Sequence, residues 1–169
     1  MTVPARRDFD NHTLSIFKFI KDNVETPYGI KVNYDDETYD VKGYNQWIDV
    51  SFLSFGAGRK DSTVVQFDVY SRIRGKIPGG DEQKVELSLV ANKLYKAMHV
   101  DSIQVYDYTI LASPVLISGA KLMIQNSSGT FREPESDQMM ETDNDVARRS
   151  LTYRLRMVED ASNAPSYYD

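Results

Sequence analysis

The chain has 169 residues, 41% of them apolar, with 25 acidic against 20 basic side chains and a formal net charge of −5. That is enough apolar sequence for one core, and no stretch approaches the roughly 18 consecutive apolar residues a membrane-spanning helix needs. The acidic balance lacks the basic footprint of a protein that grips phosphates, and the absence of cysteine removes disulfides, thiolate metal sites and thiol nucleophiles. Residues 1–8 carry Arg6 and Arg7 but lead into polar, acidic sequence where a secretion signal needs an apolar run, so a soluble protein that nothing directs to secretion is expected.

Residues 13–24 place Leu14, Phe17, Ile20 and Val24 three and four apart, with Lys18, Lys21 and Asp22 between them, which is the period of an amphipathic helix. Ile16 and Phe19 widen its apolar face, Asn11 or Thr13 can cap its start, and Pro27, Tyr28 and Gly29 end it. Residues 30–45, rich in Asp, Tyr and Asn, read as an exposed loop or an irregular pair of strands. Ile48, Val50 and Phe52 then alternate with Asp49 and Ser51, and Val65, Phe67, Val69 and Ile73 alternate with Gln66, Asp68, Tyr70 and Arg72. The glycine-containing segment 56–61 joins these two strands as an antiparallel hairpin with a mobile tip. Asp81 and Glu82 are expected to open a second helix, their charges facing the positive end of its dipole, with Leu87, Val90, Leu94 and Met98 as its core stripe.

Strands are expected at 101–108, through Ile103 and Val105, and at 119–125, through Ala120, Leu122 and Ile124. The clearest strand comes last, with Leu151, Tyr153, Leu155 and Met157 alternating with Thr152, Arg154 and Arg156. Between these, residues 127–149 show no periodicity and are expected to form a long arm without regular structure, either a linker or a contact surface carrying Met139 and Met140 in an acidic run. Beyond 159 the small, polar sequence reads as a flexible tail. Runs of strands with only two helices make this an α+β protein. The expectation is one domain over 1–160 and a tail at 161–169. A single, mainly antiparallel β-sheet carries two α-helices on one face, with a long hairpin-like arm before the last strand.

Little in the sequence points to catalysis. The run from Gly56 to Ser62 lacks the spacing of a phosphate loop and leads from strand to strand, not into a helix whose amides would hold the phosphate. Asp35, Asp36 and Glu37, or Asp49 with Asp68, offer carboxylates for a metal-dependent nuclease. The only Glu-x-Lys, at Glu82 to Lys84, falls at the expected helix start, and solvated faces account for these acids. His12 and His99 flank helix ends without acidic partners at ligand spacing. No catalytic, cofactor or metal site is assigned. The aromatic excess says more, because Tyr28, Tyr34, Tyr39, Tyr44, Tyr70, Tyr106 and Tyr108 fall largely on loops or the non-core side of strands. Tyrosine there serves an interface or a second core layer.

The first helix, the hairpin strand over 64–72, the helix following Gly79, Gly80 and Asp81, and the closing strand over 146–155 together resemble the tail terminator, or tail-completion, proteins of long-tailed bacteriophages. The resemblance covers most of residues 14–158 and rests on alternation, not on a catalytic signature. It implies a non-enzymatic virion subunit, assembled in the host cytoplasm, that forms a hexameric ring at the head-proximal end of the tail tube. Such a ring ends tube polymerisation and joins the tail to head-completion or connector proteins. Its partners would be further copies of itself, the tail-tube protein and the connector, with DNA only in passage through the channel and no membrane. Tyr70, Arg72, Phe131, Met139, Met140, Arg148, Arg149, Arg154 and Arg156 are the expected assembly interface, through strand edges and the contrast of arginines with the acidic arm. Another neck or tail-tube subunit, a metal-dependent nuclease and a monomeric binding module are the alternatives.

Overall fold

A computed structural model of the protein describes residues 5–34, 43–55, 62–73, 75–76, 82–83, 85–140 and 146–159. Helix α1 (Ala5–Ile20) continues through a wider π-helical turn (Lys21–Glu25) into the helical turn α2 (Thr26–Tyr28). It begins well before the expected start at 13, so Asn11, His12 and Thr13 lie within the helix, and all three are buried. The polar residues that read as a cap form a contact face instead. Asn11 Oδ1 accepts the Tyr108 N–H at 2.8 Å, and Ser15 Oγ accepts the Tyr106 N–H at 2.9 Å. Gly29 closes the helix with φ +66°, a conformation that favours glycine, and its N–H returns to the Glu25 carbonyl at 2.8 Å.

The segment expected to be irregular contains a strand, β1 (Lys31–Tyr34), which pairs in parallel with β2 (Gln46–Phe55). β2 pairs antiparallel with β3 (Ser62–Ser71) as expected, while the tip at 56–61 lies outside the described residues, as does 35–42 with Tyr39. Ile73, expected on the core face of β3, lies beyond the strand's end and is exposed. There its N–H donates to the Ser71 hydroxyl at 3.2 Å. Glu82 does not open the second helix. Strand β4 (Gly75–Lys76) pairs with β5 (Glu82–Gln83), which takes Glu82 into a short ladder, and α3 (Val85–Met98) starts after it. Asp81 lies outside the described residues.

The remaining strands are β6 (Ser102–Asp107), β7 (Val115–Ile124), β8 (Ser136–Met140) and β9 (Ala147–Glu159). The seven-stranded sheet runs β1-β2-β3-β9-β7-β6, with β8 also on β9. β9 is its spine. One edge pairs with β3, from Ala147 with Ser71 to Arg156 with Ser62. The other edge is shared, β8 taking Arg148 to Thr152 and β7 taking Leu155 to Glu159, both antiparallel. β7 and β8 are therefore one interrupted line, and the chain between them makes a short excursion. A turn at 126–130 uses Gly129 at φ +87°, Gln125 bridges to Phe131, and the Glu135 N–H returns to the Thr152 carbonyl at 2.6 Å.

This overturns the structureless arm expected over 127–149, of which only 141–145 lies outside the described residues. The missed strand has no apolar alternation because its partner is basic and supplies charge pairing in place of a hydrophobic face. Asp137 takes Arg149 through two contacts of 2.7 Å, and Glu135 takes Arg154 at 3.1 Å.

The core joins the predicted stripes. Ile16, Ile20 and Val24 from the first helical segment and Leu87, Val90, Leu94 and Met98 from α3 meet Ile48, Val50, Val65, Phe67, Val69, Leu151, Tyr153 and Leu155 from the sheet. Each such side chain contributes about 1.5–3 kcal/mol on burial. Tyr34 belongs to this side as well, its ring edge-on to Phe17 at 5.4 Å and 5.7 Å from Phe52, so it extends the core layer.

Candidate assembly surface

The second face of the β2-β3-β9 sheet carries the polar partners of the core residues. Trp47 of β2 stands opposite Tyr70 of β3, the rings stacked at 4.9 Å and 9°. The Arg72 guanidinium lies 5.1 Å above the Trp47 ring and that of Arg148 lies 5.8 Å above Tyr70, so cation, indole, phenol and cation form a row across the strands. Met140 extends it, opposite Arg148 in the β8–β9 register. The next row places Asp49 directly opposite Asp68. Two like charges there repel unless each is engaged. Asn33 donates to Asp49 at 3.3 Å, Gln66 donates to both oxygens of Asp68 at 3.0 Å, and Arg148 reaches Asp68 at 3.0 Å.

Asp68, a solvated acid by its place in the alternation, is only 7% exposed, while Trp47 is 4% exposed. Burial works against the charge of Arg148, but the hydrogen bond and charge of Asp68 outweigh it and hold the guanidinium above its ordinary range. Burial likewise raises Tyr70, with the Asp68 charge acting in the same direction. A divalent cation between Asp49 and Asp68 would have to displace Arg148 and Gln66. Among the described residues no group of three or more His, Cys, Asp or Glu side chains is placed to hold a metal. His12, expected at a helix end, is buried inside α1, and desolvation lowers its pKa to about 4.

Of the residues expected to form one interface, Tyr70, Arg72, Arg148 and Met140 come together in this row. Arg149 and Met139 alternate to the opposite face, where Arg149 pairs with Asp137 beside α3. There a cleft of about 410 Å³ opens between α3 and β8–β9, lined by Leu89, Asn92, Tyr95, Asp137 and Arg149 among others. Arg154 is tied to Glu135, Arg156 is exposed at the last pairing of β9 with β3, opposite Ser62, and Phe131 is exposed in the excursion between β7 and β8. The nine residues are thus spread over both faces.

Among the described residues, the most exposed apolar side chains lie where none is expected. β6 and β7 form a hairpin whose register slips past Gln104, so that residues 117–120 bulge and the outer part pairs Tyr106 with Leu116 and Asp107 with Val115. Gly119 has φ +81°, which favours glycine in the bulge. At the tip Ile110 is 65% and Leu111 73% exposed, with Val115 and Leu116 also exposed. One signal for this was present in the sequence: residues 108–120 carry no charge, in a chain where 27% of residues are charged. Compared with protein-family models and with curated proteins, the sequence matches none.

Proposed function

We propose that this chain is a structural ring subunit of a long-tailed bacteriophage, a tail terminator that closes the head-proximal end of the tail tube and offers a surface to the head-completion proteins. The fold proposed with it is a mainly antiparallel sheet with both helices on one face. The observation that carries the assembly half of the reading is the grouping of exposed apolar side chains at one uncharged hairpin tip. Scattered exposed apolar residues are ordinary, whereas a contiguous group marks an association site. The order of helix, hairpin, helix and closing strand supports the phage half, through its resemblance to tail terminators.

The nuclease alternative has the facing pair Asp49 and Asp68 in its favour. The same geometry weakens it, because Asp68 is engaged by Arg148 and Gln66. The reading is tested by light scattering over a concentration series followed by negative-stain imaging. Closed rings, six-membered by the resemblance, are expected. Open-ended tubes would move the assignment to a tail-tube subunit, and magnesium-dependent DNA cleavage lost in Asp68→Asn would replace it with the nuclease.

A further inference from the structure

We infer that the β6–β7 hairpin tip is a plug that seats in the cleft between α3 and β8–β9 of a second copy of this chain. The inference rests on the ring reading above and names its contact.

Three observations converge on this pairing. The first is position. The cleft lies at the Arg149 end of β9 and the hairpin leaves the sheet at the Glu159 end, where Ala120 pairs with Glu159. Ten strand steps separate these ends, roughly 33 Å at strand rise. A copy therefore carries plug and cleft at opposite ends of its longest strand. A contact between two different patches of the same chain is heterologous, and repeated by rotation it closes a ring when the angle permits and runs on as a filament when it does not.

The second is charge. The tip brings no charged side chain from 108 to 120. The charged side chains that line the cleft are already matched, Asp137 with Arg149 at 2.7 Å. Seating the tip would strand no unpaired ion, the usual cost of burying a charged surface. An apolar rim meets an apolar tip, since Leu89 on α3 and Met139, opposite Arg149 on β8, are both about half exposed.

The third is the blocked backbone edge. β6 ends the sheet, and such an edge invites strand addition. Here Ser15 and Asn11 of α1 already accept the N–H groups of Tyr106 and Tyr108. Side chains at the tip, not the strand edge beside it, are what the hairpin offers a partner.

The absence of cysteine makes the contact directly testable. Leu111→Cys and Leu89→Cys are introduced singly and together, and the purified full chain is treated with a short bismaleimide. The double variant is expected to give a ladder of covalent multimers, and each single variant only monomer. Leu111→Glu and Leu89→Glu should each raise the concentration for assembly about a hundredfold, and their equimolar mixture should stop at a dimer, since one intact plug and one intact cleft remain. Dimers from Leu111→Cys alone would overturn the inference in favour of a tip-to-tip contact. Rings on the grid with no ladder would overturn it and leave the ring reading standing, whereas a ladder from open filaments would uphold the contact and remove the ring. A chain that stays monomeric and never cross-links would also overturn it, as would binding to phosphatidylcholine vesicles that Leu111→Glu abolishes.

Discussion

Two regions of this molecule invert the usual placement of polar and apolar side chains. On the second face of the β2-β3-β9 sheet, Asp68 and Trp47 are nearly inaccessible. At the β6–β7 tip, Ile110 and Leu111 stand in solvent. The first region resolves its cost inside the chain, through Arg148, Gln66 and the Trp47–Tyr70 stack. The second leaves its cost unresolved until something covers it. Substitution should therefore affect folding in the first region and association in the second.

The largest effect is expected at Asp68. Asp68→Ala strands the partly buried Arg148 and should lower stability by about 3 kcal/mol in urea denaturation. Replacing both partners together, Asp68→Leu with Arg148→Met, should recover most of that loss, because no unpaired charge remains. A double variant as unstable as Asp68→Ala would mean that Arg148 is held by its other contacts, the Tyr70 ring among them.

Next in size is the pH response of α1, the helix that holds β6. His12 is buried and its pKa falls to about 4 from the ordinary 6.5, so the folded state favours the neutral ring. Below 6.5 the unfolded chain takes up a proton that the folded chain refuses. Stability is therefore full above pH 6.5 and declines as the pH falls towards 4, by about 2 kcal/mol at pH 5. Denaturation midpoints at pH 7 and pH 5, with His12→Gln as the comparison, check this. An equal decline in His12→Gln would assign it to other groups.

A smaller change of opposite sign is expected in the core. The Tyr153 ring is fully buried 5.9 Å from Phe67, its hydroxyl has no hydrogen-bond partner, and burial drives its pKa well above the ordinary phenol value. Tyr153→Phe should raise stability by about 1 kcal/mol, since it removes an unsatisfied polar atom and keeps the ring. A loss on that substitution would mean that the hydroxyl has a partner in solution.

The sequence was legible where burial follows a period. Ile48 and Val50, Val65 to Val69, Leu87 to Met98 and Leu151 to Met157 all lie in the core their spacing assigns. It misled where polar side chains do structural work. Asn11 reads as a helix cap but faces β6, and Glu135 and Asp137 read as a solvated arm but zip β8 onto a basic strand. Cross-strand ion pairing leaves no period in one strand alone, because its partner lies many residues away. The hairpin tip is hard to read for a related reason. A motif is something a segment contains, and what marks residues 108–120 is the charge they lack.

The smallest expected effect on folding decides most about the comparison. Leu111 is the most exposed of the large apolar side chains at the tip, so Leu111→Ser removes little buried area. It should shift stability by no more than about 0.5 kcal/mol. Association should respond in the opposite proportion, since an anchor at the centre of an interface outweighs its neighbours. If Leu111→Ser destabilises the isolated chain by several times that amount, the tip packs against its own fold and the inversion at this end disappears. A neutral change in folding with a lost oligomer would fix the division of labour, in which one face spends its unusual residues on holding strands together and the tip keeps its own for a second chain.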